Sequence, residues 1–135
     1  MRSARDYLYI RNYQPDLWPA GTGSENTNRP GQWFADCDGG PTKQYIFDNR
    51  EKDEAHARAF RLSFAKRPAE ELYYLPDDPD QVDNLAGDPE KAEVLKQLGA
   101  RLDERLEALN DPRATDPETT VFDGHPHFGG GGGKK

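Results

Sequence analysis

The loop Asp36-Cys37-Asp38-Gly39-Gly40-Pro41-Thr42-Lys43 joins flexible glycines, the start of a helix and a cation. A helix N-terminus carries unpaired backbone amides and the positive end of the helix dipole. With Lys43 beside it, the loop can receive a sulfate or a carboxylate of a sugar. Asp38, Thr42 and Lys43 are the side chains expected to bind such a substrate. The plainer alternative is a capped turn with Lys43 in solvent. Cys37 is not expected to act as a nucleophile: no base lies near it in sequence, and the adjacent Asp36 and Asp38 work against a thiolate.

A second cluster, Asp77, Asp78, Asp80 and Asp83, is acidic enough to suggest calcium. It lacks the alternating ligand spacing and the bidentate Glu of a calcium loop. Short Asp side chains in a turn satisfy backbone amides, and Asn84 can lock the returning chain. The stretch therefore reads as scaffold that fastens the last helix to a sheet. His125 and His127 are spaced to share a metal but have no third ligand nearby. His56 lies on a charged helix and is expected to be solvated. Trp18 and Trp33 could stack on a sugar ring; pinning the loop to its own core is the expected role. No residue is assigned to catalysis or metal binding.

These residues must be positioned by a modest core. Of 135 residues, 33% are hydrophobic and 32% are charged, and 25 acids against 18 bases leave a net charge of -7. Such a balance repels phosphate backbones, so nucleic acid is not an expected partner. The single cysteine rules out an internal disulfide. No stretch approaches the roughly 18 apolar residues of a membrane span. The opening MRSARDYLYI does not read as a signal peptide, because Arg5, Asp6 and Arg11 break its apolar run.

Residues 4–13 alternate as a strand, with Tyr7, Tyr9 and Arg11 on one face and Leu8 and Ile10 on the other. Residues 14–42, rich in Pro and Gly, form a long irregular loop. Thr42 is expected to cap a short helix through Phe47, and a second helix is expected over 51–66, stopped by Pro68. Residues 70–75 form the second strand. Asp88 caps a helix with Pro89 first and Glu90 in its first turn. Leu95, Leu98, Leu102, Leu106 and Leu109 give that helix one apolar stripe, and Asn110-Asp111-Pro112 ends it. The fold class is α+β: a small antiparallel sheet covered by a C-terminal amphipathic helix, with a long irregular loop. Residues 1–112 form the folded unit and 113–135 an irregular tail with a glycine-rich end. Two strands make a poor sheet alone. The long loop is expected to hide further strand, and residues outside this chain to complete the sheet.

The run KRPAEELYYLPDDPDQVDNLAGDPEKAEVLKQLGARLDERL resembles the C-terminal end of type I sulfatases. In that family a strand written E-L-Y-D-L leads into D-P-x-E-x-x-N-L-A and a last amphipathic helix. Glu71, Leu72, Tyr73, Leu75, Asp78, Pro79, Asn84, Leu85 and Ala86 match; Tyr74 and Gln81 depart from the usual Asp and Glu. The opening DYLYIRNY is similar to the family's R-x-x-x-Y-K-Y-I-R strand, with Leu8 where Lys is usual. IRNYQPDLWPAG, DCDGGPTK, KRPAEELY and VFDGHPHFG resemble the heparan N-sulfatase type (N-sulfoglucosamine sulfohydrolase). The resemblance implies the alkaline phosphatase superfold and an enzyme of glycosaminoglycan degradation. Its formylglycine, made within C-x-P-S-R, and its calcium would belong to an N-terminal catalytic domain outside this chain. Cys37 lies in C-D-G-G-P, without the signature's Ser and Arg, so no catalytic or metal-binding role carries over. The implied partners are that catalytic domain and, through the parent enzyme, a sulfated glycan. The implied location is periplasmic, secreted or lysosomal. The alternative is a stand-alone interaction or carbohydrate-binding module without enzymatic activity.

Overall fold

The computed structural model describes residues 6–21, 34 and 36–121. The described residues form a small α+β fold with a two-stranded antiparallel sheet and three α-helices. Strand β1 (Tyr7–Arg11) pairs with β2 (Glu70–Tyr74), with Tyr9 opposite Leu72 and Arg11 opposite Glu70. Side chains alternate across a strand, so Tyr7, Tyr9, Arg11, Glu70, Leu72 and Tyr74 share one face. On that face Tyr9 and Leu72 are fully buried. Among the described residues the long loop adds no strand. No described helix is long and apolar enough to cross a membrane.

Helix α3 (Ala92–Ala108) lies across this face and closes a core of Tyr9, Leu72 and Leu98, flanked by Leu85, Val94, Leu95 and Leu102. Asp88 does not cap α3 directly. It caps a 3₁₀ turn, Pro89–Lys91, by accepting the Glu90 amide at 2.9 Å, and this turn leads into α3. The stripe predicted to include Leu109 stops one step short: Leu106 is buried, whereas Leu109 is 60% exposed. The cause lies in the helix stop. Asn110 adopts the left-handed region (φ 52), and the Asp111 amide bonds back to Leu106 O at 2.9 Å and the Asn110 amide to Glu107 O at 3.0 Å. This is the double closure that ends many helices, and it places Leu109 outside the packed face.

The second core is aromatic. Helix α1 (Pro41–Asp48) and helix α2 (Glu54–Phe64) bring Phe47, Phe60 and Phe64 onto Phe34. Phe34 stacks on Phe64 with ring centres 4.9 Å apart and meets Phe47, Phe60 and Trp18 edge-on. Offset and edge-to-face contacts suit the ring quadrupoles. Helix α2 starts at Glu54, not at Glu51, because Asp53 is its N-cap and accepts the His56 amide at 3.0 Å. Trp18 pins the loop to this core, and the Lys66 ammonium sits 5.5 Å from its ring centre. Trp33, His125 and His127 lie outside the described residues.

Candidate functional site

Asp38, Thr42 and Lys43 do come together. With Cys37, Ile46 and Phe64 they line an open hollow of about 330 Å³ at the start of α1. The local chemistry differs from both readings of the loop. Gly40, not Thr42, is the N-cap, and Pro41 takes the first helical position, where its missing N–H and fixed φ suit a helix start. Thr42 therefore lies inside the first turn. Lys43 is neither in solvent nor aimed at a ligand. Its Nζ donates to Phe34 O at 2.8 Å and to Cys37 O at 2.7 Å, which closes the loop over the aromatic core. The hollow is left with the exposed Asp38 carboxylate and Thr42 hydroxyl beside the first-turn amides. Such a wall accepts hydrogen bonds from sugar hydroxyls more readily than it holds a sulfate, because Asp38 repels an anion.

The acidic turn is a fastening. Asp78 accepts the Val82 amide at 3.0 Å and the Asp83 amide at 3.0 Å. These bonds, first that from Asp83, hold its carboxyl below the usual carboxylate range. Asn84 then closes the outer edge of β2: its Oδ1 accepts the Leu72 and Ala86 amides, each at 2.9 Å, and its Nδ2 donates to Glu70 O at 3.2 Å. The Leu85 amide bonds to Leu72 O at 2.8 Å, and Tyr74 O accepts the Asp77 and Asp78 amides. One side chain and the turn that it anchors thus stand in for a third strand along β2. Among the described residues, no three His, Cys, Asp or Glu side chains converge to hold a metal ion.

Three polar arrangements were not foreseen from sequence. Across the covered face, Tyr9 Oη donates to Glu70 and accepts Arg11 Nε at 3.1 Å. Arg11 also pairs with Asp103 on α3 and reaches Gly99 O at 3.5 Å. Burial first, then the bond to Glu70, pushes the Tyr9 hydroxyl above its ordinary range, while Asp103 raises the Arg11 guanidinium. Gly99 fits here because a Cβ would lie 3.3 Å from Arg11 Nη2 and 3.6 Å from Tyr9 Oη. A glycine inside a helix was the available signal of this close approach. On the opposite face the buried Glu71 accepts Tyr73 Oη, and Asn12 Nδ2 at 2.8 Å. Burial, then Glu71, raises the Tyr73 hydroxyl.

The third arrangement corrects the expectation of a solvated His56. The ring is half-buried, with Nδ1 at 2.6 Å from Asp53 and Nε2 at 3.1 Å from Tyr45 Oη. It ties α1 to α2 through a cap residue. Cys37 is half-buried, with Sγ 3.9 Å from Asp38 O. No protein-family model, no curated protein and no solved structure matches the chain.

Proposed function

We propose that this chain is the C-terminal subdomain of a type I sulfatase of the heparan N-sulfatase kind, within the alkaline phosphatase superfold. It buttresses the catalytic domain and is not catalytic alone. The observation that carries the reading is the use made of the motif residues. Leu72 and Tyr73 are buried, Asp78 holds the turn, and Asn84, Leu85 and Ala86 bind the returning chain to β2 and α3. These are the residues of the sulfatase-like stretch, and in this fold they form one strand–turn–helix fastening. In the parent enzyme, formylglycine and calcium belong to the catalytic domain, which acts on a sulfated glycan. The hollow at Asp38 and Thr42 would face that domain's substrate mouth and meet sugar hydroxyls. The test is sulfate release from N-sulfated and O-sulfated glucosamine. The chain alone should release none, and adding it to a sulfatase catalytic domain that lacks its own last subdomain should restore turnover. Turnover by the chain alone, or no effect on the truncated enzyme, contradicts the proposal.

One observation favours a second reading, a stand-alone interaction module. The β2 edge is closed by the chain itself, and the protein has two cores of its own. A module of this kind would unfold in one sharp transition without any catalytic domain and would leave the truncated enzyme inactive.

A further inference from the structure

Where β1 ends, a hollow of about 380 Å³ is walled by Arg11, Arg67, Arg113, Tyr13, Pro15 and Leu17 among others. Among the described residues, three guanidinium groups and no carboxylate line it, in a chain whose net charge is -7. Asp16 and Glu118 line an adjoining hollow instead. Arg11 is held by Asp103, and Arg113 by Asp111 at 2.7 Å. Both guanidinium centres sit by the Tyr13 ring, at 6.0 and 5.5 Å from its centre. These two arginines are thus neutralised and fixed in place. Arg67 donates Nη2 to Leu62 O at 2.8 Å and has no carboxylate partner among the described residues. It leaves one positive charge in the wall. The Tyr13 ring lines the hollow, and its hydroxyl is buried. Pro15 and Leu17 add apolar surface, and Leu17 is 60% exposed.

We propose that this hollow binds a small molecule carrying one oxyanion group, a carboxylate or a sulfo group, on a ring-sized apolar body. The volume falls within the range of roughly 300–1,000 Å³ typical of small-molecule sites. A guanidinium with one uncompensated charge recognises either oxyanion through paired N–H donors, and the apolar wall takes the ring. The inference stands apart from the sulfatase reading and does not need a catalytic domain.

The experiment is a titration of the full chain with benzoate, benzenesulfonate and the neutral isostere benzamide, followed by NMR of the arginine Nε–H and Tyr13 ring signals. Benzoate or benzenesulfonate should move the Arg67 and Tyr13 signals saturably, the one that binds tighter identifying the preferred oxyanion, and benzamide should leave them unmoved. Arg67→Ala should weaken binding by about tenfold or more, as expected for a lost charged hydrogen bond, and Arg67→Lys by less. Equal shifts with benzamide, or shifts confined to residues away from the hollow, overturn the proposal. The comparison of charged and neutral ligands on the unaltered chain decides the question even if Arg67→Ala fails to fold.

Discussion

The sheet–helix unit and the aromatic unit share no core residue, and they are held by different physics. Around Tyr9 and Leu72 the packing is accompanied by directional fixings: Asn84 along the strand edge, Asp78 in the turn, and Arg11 and Glu70 beneath α3. Around Phe34 the contacts are mostly ring on ring; Lys43 is drawn in and spent on two carbonyls, while Lys66 and Arg50 lie over the Trp18 and Phe47 rings. The first unit therefore has a defined register and orientation. The second supplies apolar burial, which is large but non-directional.

The largest effect is expected from Phe64→Ala in the stacked pair, at about 4 kcal/mol, with Leu72→Ala close behind at about 3 kcal/mol. Urea unfolding read by near-UV dichroism and by strand amide exchange should show whether both probes shift together. Coincident shifts would make the two units one cooperative body, whereas separate shifts would set them apart. Asn84→Ala should lower stability by about 2 kcal/mol, since it strands the buried Leu72 amide. The loss should appear first as faster exchange at that amide. Asn84→Asp keeps the acceptor and should lose less.

Alkali should separate the units further. Tyr9 and Tyr73 are held above the ordinary tyrosine range, so their contribution is complete below about pH 10 and is lost as pH rises through their folded values. Strand exchange should accelerate above that pH while the phenylalanine core keeps its dichroism. Acid should not discriminate. Asp78 lies below its usual range, Asp111 is held at about 2, chiefly by Arg113, and Asp53 is lowered, chiefly by the His56 amide. Their stabilisation is present above about pH 4 and is lost as pH falls toward their folded values. Loss of helicity between these limits should accompany loss of strand protection. The smallest effect belongs to the exposed pair Arg58–Asp83, 3.1 Å apart, which links α2 to the acidic turn. A double-mutant cycle should give a coupling of about 0.3 kcal/mol.

The sheet–helix unit was the more legible in sequence. Alternation placed Tyr7, Tyr9 and Arg11 on one face, and spacing placed Leu95 to Leu106 on the covering stripe. What escaped was set by distant or backbone partners. Lys43 reads as a free cation until the carbonyls of Phe34 and Cys37 are in place, and no side chain announces them. The meeting of Arg113 with Tyr13 joins residues with no shared period. Pro41 in the first helical position was the local signal that Gly40, and not Thr42, would be the cap. Leu109 fits the spacing of the stripe, but the left-handed turn at Asn110 ends the helix before it can pack.

The most direct test is calorimetric titration of this chain into a heparan-type sulfatase catalytic domain truncated before its final subdomain. A buttress shaped for that body should bind saturably, one chain to one domain, and Asn84→Ala should weaken the association. No heat of binding at high micromolar concentration, or undiminished binding by Asn84→Ala, would contradict it.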